Sequence, residues 1–190
     1  MAQSFFSPVT NPLAWVRFLL TAALGLALDQ WSKIHSFATL MLSKSVVDGR
    51  VHVESRTYPF IPDWLEFHVT ANQGAVFGLG QGRRVLFVIV SVAAIGFIFY
   101  LFSASGRQRI YQIILGMLLA GVLGNLYDRV VLGYVRDMIF ALPKWDVFPW
   151  IFNVADSLLC VGVALMILHS IFHSSKKPTP EPNPGQTPAQ

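Results

Sequence analysis

The chain has 190 residues, of which 54% are hydrophobic and only 13% charged, with a net charge of +4. Soluble domains carry about 25% charged residues, so this composition, with a mean hydropathy of +0.53, excludes an ordinary soluble domain and points to a membrane protein. The Lys and Arg residues are scattered rather than gathered into a stripe, which argues against a nucleic-acid partner, and Cys160, the only cysteine, allows no intramolecular disulfide and no cysteine-based zinc site.

Taken in chain order, the apolar runs predict four membrane spans at about Leu13–Leu28, Val85–Phe102, Ile110–Asn125 and Trp150–Phe172. Each is near the ~17–25 residues that cross a hydrocarbon core. The first run could instead be a cleaved signal sequence, since Gly25–Ala27 loosely resembles a small-residue cleavage site. Only Arg17 supplies basic charge there, however, and three more spans follow, so an uncleaved helix is expected.

Between the first two spans, Leu65, Phe67 and Val69 alternate with Glu66, His68 and Thr70, the period of a half-buried strand. Arg50–Ser55 forms a weaker second strand, and Gly74 and Gly78 mark tight turns. In the third span Gly116, Ala120 and Gly124 recur every four residues, a face small enough for close helix approach. Just beyond them, Asn125, Asp128 and Arg129 share one side of the helix end. Cys160 lies in the apolar fourth run as a small packing residue. His169 and His173 lack the glutamate of a zinc-protease motif and suit an interfacial place. The tail Lys176–Gln190 is Pro-rich and polar, and is expected to be disordered. The fold expected is therefore an all-α membrane protein of four transmembrane helices, with a small β-sheet between helices 1 and 2. The helical domain covers residues 1–175, with an insertion at about 35–83, and the tail covers 176–190.

Four spans put both termini on one side. Charge alone leaves that side undecided: Arg107, Arg109, Lys176 and Lys177 favour one orientation, Lys33, Arg83 and Arg84 the other. The acidic residues are more informative. None of the ten lies between Glu66 and Asp128, and the topology brings Asp29, Asp128, Asp137 and Asp156 to the same membrane face. A carboxylate beside lipid costs roughly 2.5–3.5 kcal/mol on insertion scales, so each needs a partner or a task. Asp29 has Lys33 one turn away and Asp128 has Arg129 beside it, which favours structural roles for both. Asp128 or Asp137 could pair with Arg129 or Arg136, and Asn153 could cap the fourth helix. Asp156 has no basic neighbour within a turn, and Asp137 has only Arg136, which makes these two the candidate catalytic pair.

Three blocks, "NQGAVFG" (72–78), "GNLYDRVVLGYVRD" (124–137) and "FNVADS" (152–157), with the weaker "DQWSK" (29–33), resemble in matching order the signatures of the lipoprotein signal peptidase (signal peptidase II) family. The resemblance implies an intramembrane aspartic endopeptidase that removes signal peptides from diacylglyceryl-modified prolipoproteins, cutting just before the lipidated cysteine. It implies Asp137 and Asp156 as the catalytic pair, and Asn72, Gly74, Asn125, Arg129 and Asn153 as substrate-binding or site-supporting residues. Asp29, Lys33 and Asp128 are left as structural polar groups. No metal or cofactor is implied, and the partners are the lipid-modified prolipoprotein and membrane lipid. It also implies a bacterial cytoplasmic (inner) membrane location, both termini cytoplasmic and the sheet extracytoplasmic. The family usually has a small residue where Val76 stands and an apolar one at Arg136. The stretch from His35 to Phe67 is longer than the family needs.

The rival from another class is a small transporter or channel using clustered carboxylates as a proton or cation relay, which would place polar residues through the depth of the bilayer. The second span is almost free of them.

Overall fold

The computed structural model describes residues 11–74, 83–145 and 150–174. Val76, Gly78 and the Pro-rich tail therefore lie outside the described residues, as does the side chain of His173.

Helix α1 (Pro12–Leu40) starts where its sequence says it should. Asn11 caps it by accepting the Leu13 N–H at 3.0 Å, and Pro12 occupies the first turn, where no N–H is needed. The helix runs 29 residues, about 44 Å at 1.5 Å per residue, far past the expected end at Leu28. Its buried residues Ala14, Phe18, Ala22, Asp29, Lys33 and Phe37 form one continuous face. Hydropathy falls after Leu28, but the face does not stop: it changes from apolar to ionic, with Lys33 Nζ 2.9 Å from Asp29 Oδ2 one turn away.

Helices α2 (Arg84–Ser103), α3 (Arg109–Val131) and α4 (Val154–Ser174) complete the bundle. Among the described residues, these four helices are long and apolar enough to cross a membrane, and the chain is a multi-pass membrane protein. Helix α3 is the central one, packed against α1, α2 and α4. The small residues expected to face a neighbour do so. A Cβ on Gly116 would come within 2.6 Å of the Phe18 carbonyl, Ala120 Cβ sits at Gly25, and Gly124 lies against the Asp29 carboxylate. Gly121 meets α4 in the same way, at Leu159 and the Ala155 carbonyl. Where lipid is as apolar as leucine, such close approach is what holds helices together. Cys160 is not a packing residue, contrary to expectation: it is exposed on α4. Its neighbours Leu159 and Gly162 carry the face that meets α3, which turns position 160 outward. At the other end of the bundle His169 stacks on Tyr111 with ring centroids 5.2 Å apart.

An all-α description is too narrow. Six strands stand among the described residues: β1 (Met41–Val47), β2 (Arg50–Ser55), β3 (Thr57–Ile61), β4 (Leu65–Asn72), β5 (Val135–Ala141) and β6 (Ile151–Phe152). β1 and β2 make an antiparallel hairpin through Asp48 and Gly49, both at positive φ (50° and 74°), as a tight turn between twisted strands requires. The second sheet has the order β3-β4-β5-β6 and is antiparallel throughout. The sheet is thus not confined to the segment between helices 1 and 2, since β5 and β6 come from between α3 and α4. The two predicted strands exist, as β4 and β2, but in different sheets. Phe37, Val69, Tyr134 and Met138 form a second apolar core beneath them, with Val51 and Val53 of the hairpin packed on it. This core joins the long end of α1 to β4 and β5, and so fixes β5 over the ends of α3 and α4.

Candidate active site

The N-terminus of α4 is a reciprocal cap. Asn153 Oδ1 accepts the Asp156 N–H at 3.0 Å, and Asp156 Oδ2 accepts the Asn153 N–H at 3.2 Å. The expected cap is therefore present, and it does more than end a helix. Asn153 Nδ2 also donates to Asp137 Oδ1 at 2.6 Å and to Asn125 Oδ1 at 3.1 Å. One fully buried asparagine thus touches both candidate carboxylates.

Each carboxylate has a second amide. Asn72 Nδ2, at the end of β4, donates to Asp137 Oδ2 at 2.9 Å, and Asn125 Nδ2, on α3, donates to Asp156 Oδ1 at 2.8 Å. Asn72 is itself held, because its Oδ1 accepts the Gly74 N–H at 2.9 Å in a short turn of the kind asparagine favours. Arg129 braces that turn from α3, donating to the Gly74 carbonyl at 3.1 Å and the Asn125 carbonyl at 3.3 Å, with its guanidinium over the Phe87 ring. The residues expected to support the site are brought together here: Asn72, Gly74, Asn125, Arg129 and Asn153.

Burial pushes the Asp137 carboxyl up from 3.8 to about 7, and the charge of Asp156 pushes the same way. The amides of Asn72 and Asn153 and the Lys33 ammonium pull it part of the way back. Near neutral pH this carboxyl is poised between its two states, which suits a group that must take or give a proton.

The remaining acids form a separate buried cluster. Asp29 Oδ1 accepts the Ala155 N–H at 2.8 Å, which ties α1 to the first turn of α4. Lys33 Nζ reaches Asp29 at 2.9 Å, Asp128 at 3.3 Å and Asn125 Oδ1 at 3.1 Å. Asp128 is not paired with its neighbour Arg129. It is held by Lys33 and by Arg136, whose terminal nitrogen lies 2.7 Å from Asp128 Oδ1. Helical geometry turns Arg129 toward the 72–74 turn, while β5 carries Arg136 back over Asp128. Among the described residues no buried side-chain nitrogen or oxygen lacks a partner.

One contributor, Gln30, carries no signal in the sequence. Gln30 donates to Asp29 Oδ2 and the Gly124 carbonyl and accepts from Arg136 at 2.7 Å. Arg136, next to Asp137 on β5, takes the pairing with Asp128 in a buried ion pair. The four-residue spacing of Asp29 and Lys33 was the one local signal that an ion cluster existed at all.

The family model described as signal peptidase (SPase) II matches residues 21–172. The chain is 36% identical over 157 residues to the lipoprotein signal peptidase of Enterococcus faecalis, covering 82% of this chain and 88% of that one. It is 36% identical over 161 residues to the lipoprotein signal peptidase of Geobacillus thermodenitrificans, covering 84% and 92%. A solved bacterial membrane enzyme, determined by the in meso method at 2.3 Å resolution, superposes with a TM-score of 0.72 at 28% identity, over 93% of this chain and 98% of that one.

Proposed function

Because the chain belongs to the signal peptidase II family, we propose that Asp137 and Asp156 are the proton-handling pair with which it cleaves the signal peptides of lipoproteins. The observation that carries this reading is the shared asparagine: Asn153 holds both carboxylates at once, buried Asp137 and half-buried Asp156, with neutral amides as their other side-chain partners. Two carboxylates this close do not both ionise readily, so one keeps a proton near neutral pH. The ionised member takes a proton from water as that water attacks the scissile carbonyl. The protonated member gives its proton to the departing amide nitrogen. Asn72, Asn125 and Asn153 hold the carboxylates in place, and Arg129 keeps the turn at Gly74 against α3.

The substrate is a prolipoprotein that already carries diacylglyceryl, cut just before the lipidated cysteine. A site at one end of a helical bundle, roofed by β5, suits a substrate whose signal helix and acyl chains arrive through the bilayer. In this reading the protein sits in the bacterial inner membrane, both termini are cytoplasmic and the two sheets are extracytoplasmic. The peptidase unit covers residues 1–175, and the tail 176–190 is dispensable for cleavage.

The test is proteolysis by the purified protein in detergent, with a diacylglyceryl-modified prolipoprotein and its unmodified counterpart as substrates. The expected result is a single cut immediately before the modified cysteine, with the unmodified chain cut far more slowly. Cleavage elsewhere, or equal cleavage of both, would contradict the proposal.

A further inference from the structure

The buried ion cluster is linked to the carboxylate pair through one atom. Asn125 Oδ1 accepts from Lys33 Nζ at 3.1 Å and from Asn153 Nδ2 at 3.1 Å. Those two donors settle which end of the amide is oxygen, and leave Asn125 Nδ2 to donate to Asp156. The Lys33 ammonium has three protons and meets three acceptors, on Asp29, Asp128 and Asn125. It can attend to Asn125 because Asp128 has another cation. Arg136 grips Asp128 with Nη2 at 2.7 Å from Oδ1, Nε at 3.2 and 3.3 Å from the two oxygens, and its own backbone N–H at 3.0 Å from Oδ2.

We propose that Arg136 is a positioning residue for the reaction: by neutralising Asp128 it leaves Lys33 on Asn125, and so keeps the Asn125 amide facing Asp156. The inference rests on the reading of Asp137 and Asp156 as the catalytic pair. β5 makes the coupling direct. Successive strand residues point to opposite faces, so Arg136 meets Asp128 while Asp137 meets Asn72 and Asn153. Gln30 locks the far side by accepting from Arg136 and donating to Asp29. Without Arg136, Lys33 is the one cation left for two fully buried carboxylates, Asp29 and Asp128. It is drawn toward Asp128, Asn125 Oδ1 loses a donor, and the amide is free to turn its oxygen toward Asp156, where two acceptors would repel.

Charge follows the same path. Asp29 and Lys33 come from α1, Asp128 and Arg129 from α3, Arg136 and Asp137 from β5, and Asp156 from α4. β4 contributes the neutral Asn72, and Arg84 of α2 reaches the Val130 carbonyl. Asp29 and Asp128 are balanced by Lys33 and Arg136. Removing Arg136 leaves one extra negative charge beside the pair, which favours its protonated form and moves the acid limb of the pH profile to higher pH.

The experiment measures turnover of a lipidated prolipoprotein against pH, per folded molecule, for Arg136→Met, Arg136→Lys and the double variant Arg136→Met with Asp128→Asn. Arg136→Met is expected to lose roughly tenfold or more in kcat, with KM little changed and the acid limb displaced upward. The double variant restores charge balance and is expected to return the acid limb to its original place. Arg136→Lys keeps the charge but not the two-pronged grip, and is expected to keep the acid limb with a lowered kcat. An unchanged kcat and pH profile in Arg136→Met, or a double variant displaced as far as the single one, would overturn the proposal. If Arg136→Met does not fold, wild-type kcat in Arg136→Lys overturns it instead. Asp137→Asn, run in parallel, separates the outcomes: if it still cleaves, the catalytic pair itself is wrong, whatever Arg136 does.

Discussion

Four aspartates lie at one end of this bundle, and they are held in two different ways. Asp29 and Asp128 sit against Lys33 and Arg136. Asp137 and Asp156 sit against asparagine amides and a backbone N–H. The difference is chemical. A cation at 2.7–3.3 Å compensates a buried carboxylate's charge, and removing either partner leaves an uncompensated charge. An amide steadies a carboxylate without adding charge, so the group can still take up a proton. The first pair is suited to holding helices together and the second to moving protons. One residue type serves both purposes because its neighbours differ.

The comparison breaks most visibly in turnover. Asp137→Asn and Asp156→Asn keep size and shape but remove the proton-transfer group, so each is expected to lose at least the 10²–10⁴-fold that acid–base catalysis supplies. The double variant should be little worse than either single one, because residues acting as a unit are not additive. Asp29→Asn should instead lose folded protein while retaining turnover per folded molecule. Quantified cleavage, normalised to the folded fraction, checks all four.

Lys33→Met attacks the other half of the contrast. It leaves buried Asp29 without its cation while Asp128 keeps Arg136, and is expected to cost about 3–5 kcal/mol, read as a large fall in the unfolding midpoint in detergent. A loss below about 1 kcal/mol would show that the cluster is not the tie between α1 and α3 described here.

Asp137→Asn has a smaller effect on stability, and its pH dependence has a definite sign. The folded-state carboxyl titrates near 7 against an ordinary 3.8. The folded protein therefore holds a proton that the unfolded chain has already released, and native stability falls as pH rises from about 4 to about 7. Asp137→Asn removes that fall. The variant should gain stability over the native protein above pH 7 and gain none near pH 4, as thermal unfolding at the two pH values would show. Smallest of all is Lys144→Ala: the Lys144–Asp63 pair is more than half exposed on both sides, and its loss should change the midpoint within error.

Much of this was legible in the sequence, for physical reasons that also mark the limits. The spans stood out because lipid-facing residues such as Ile89, Val92 and Ile167 must be apolar over a full membrane thickness. β4 stood out because its residues alternate. The last three turns of α1 did not, because an ionic face lacks the hydropathy that marks a span. β5 gives no strand signal because the Val135–Met138 stretch is buried on both faces and shows no alternation. Its pairing with β4, Glu66 opposite Phe140 and Thr70 opposite Asp137, joins segments far apart in the chain. Asp137 and Asp156 can be singled out because Asp156 has no cation within a turn and Asp137 has only Arg136. For Asp128 the sequence leaves Arg129 and Arg136 both open as partners; the fold takes Arg136 from β5 and adds Lys33 from α1. Local spacing identifies i,i+4 pairs such as Asp29 and Lys33, but a bond like Arg136 to Gln30, 106 residues away, depends on the completed fold.

The central claim is that a carboxyl of the site holds a proton near neutral pH. Infrared difference spectroscopy of the purified protein, titrated from pH 4 to 9 against Asp137→Asn, observes that proton directly. The expected result is a protonated-carboxyl band assigned to Asp137 that fades with a midpoint near 7. A band already gone by about pH 5, the behaviour of an ordinary aspartate, would contradict the account.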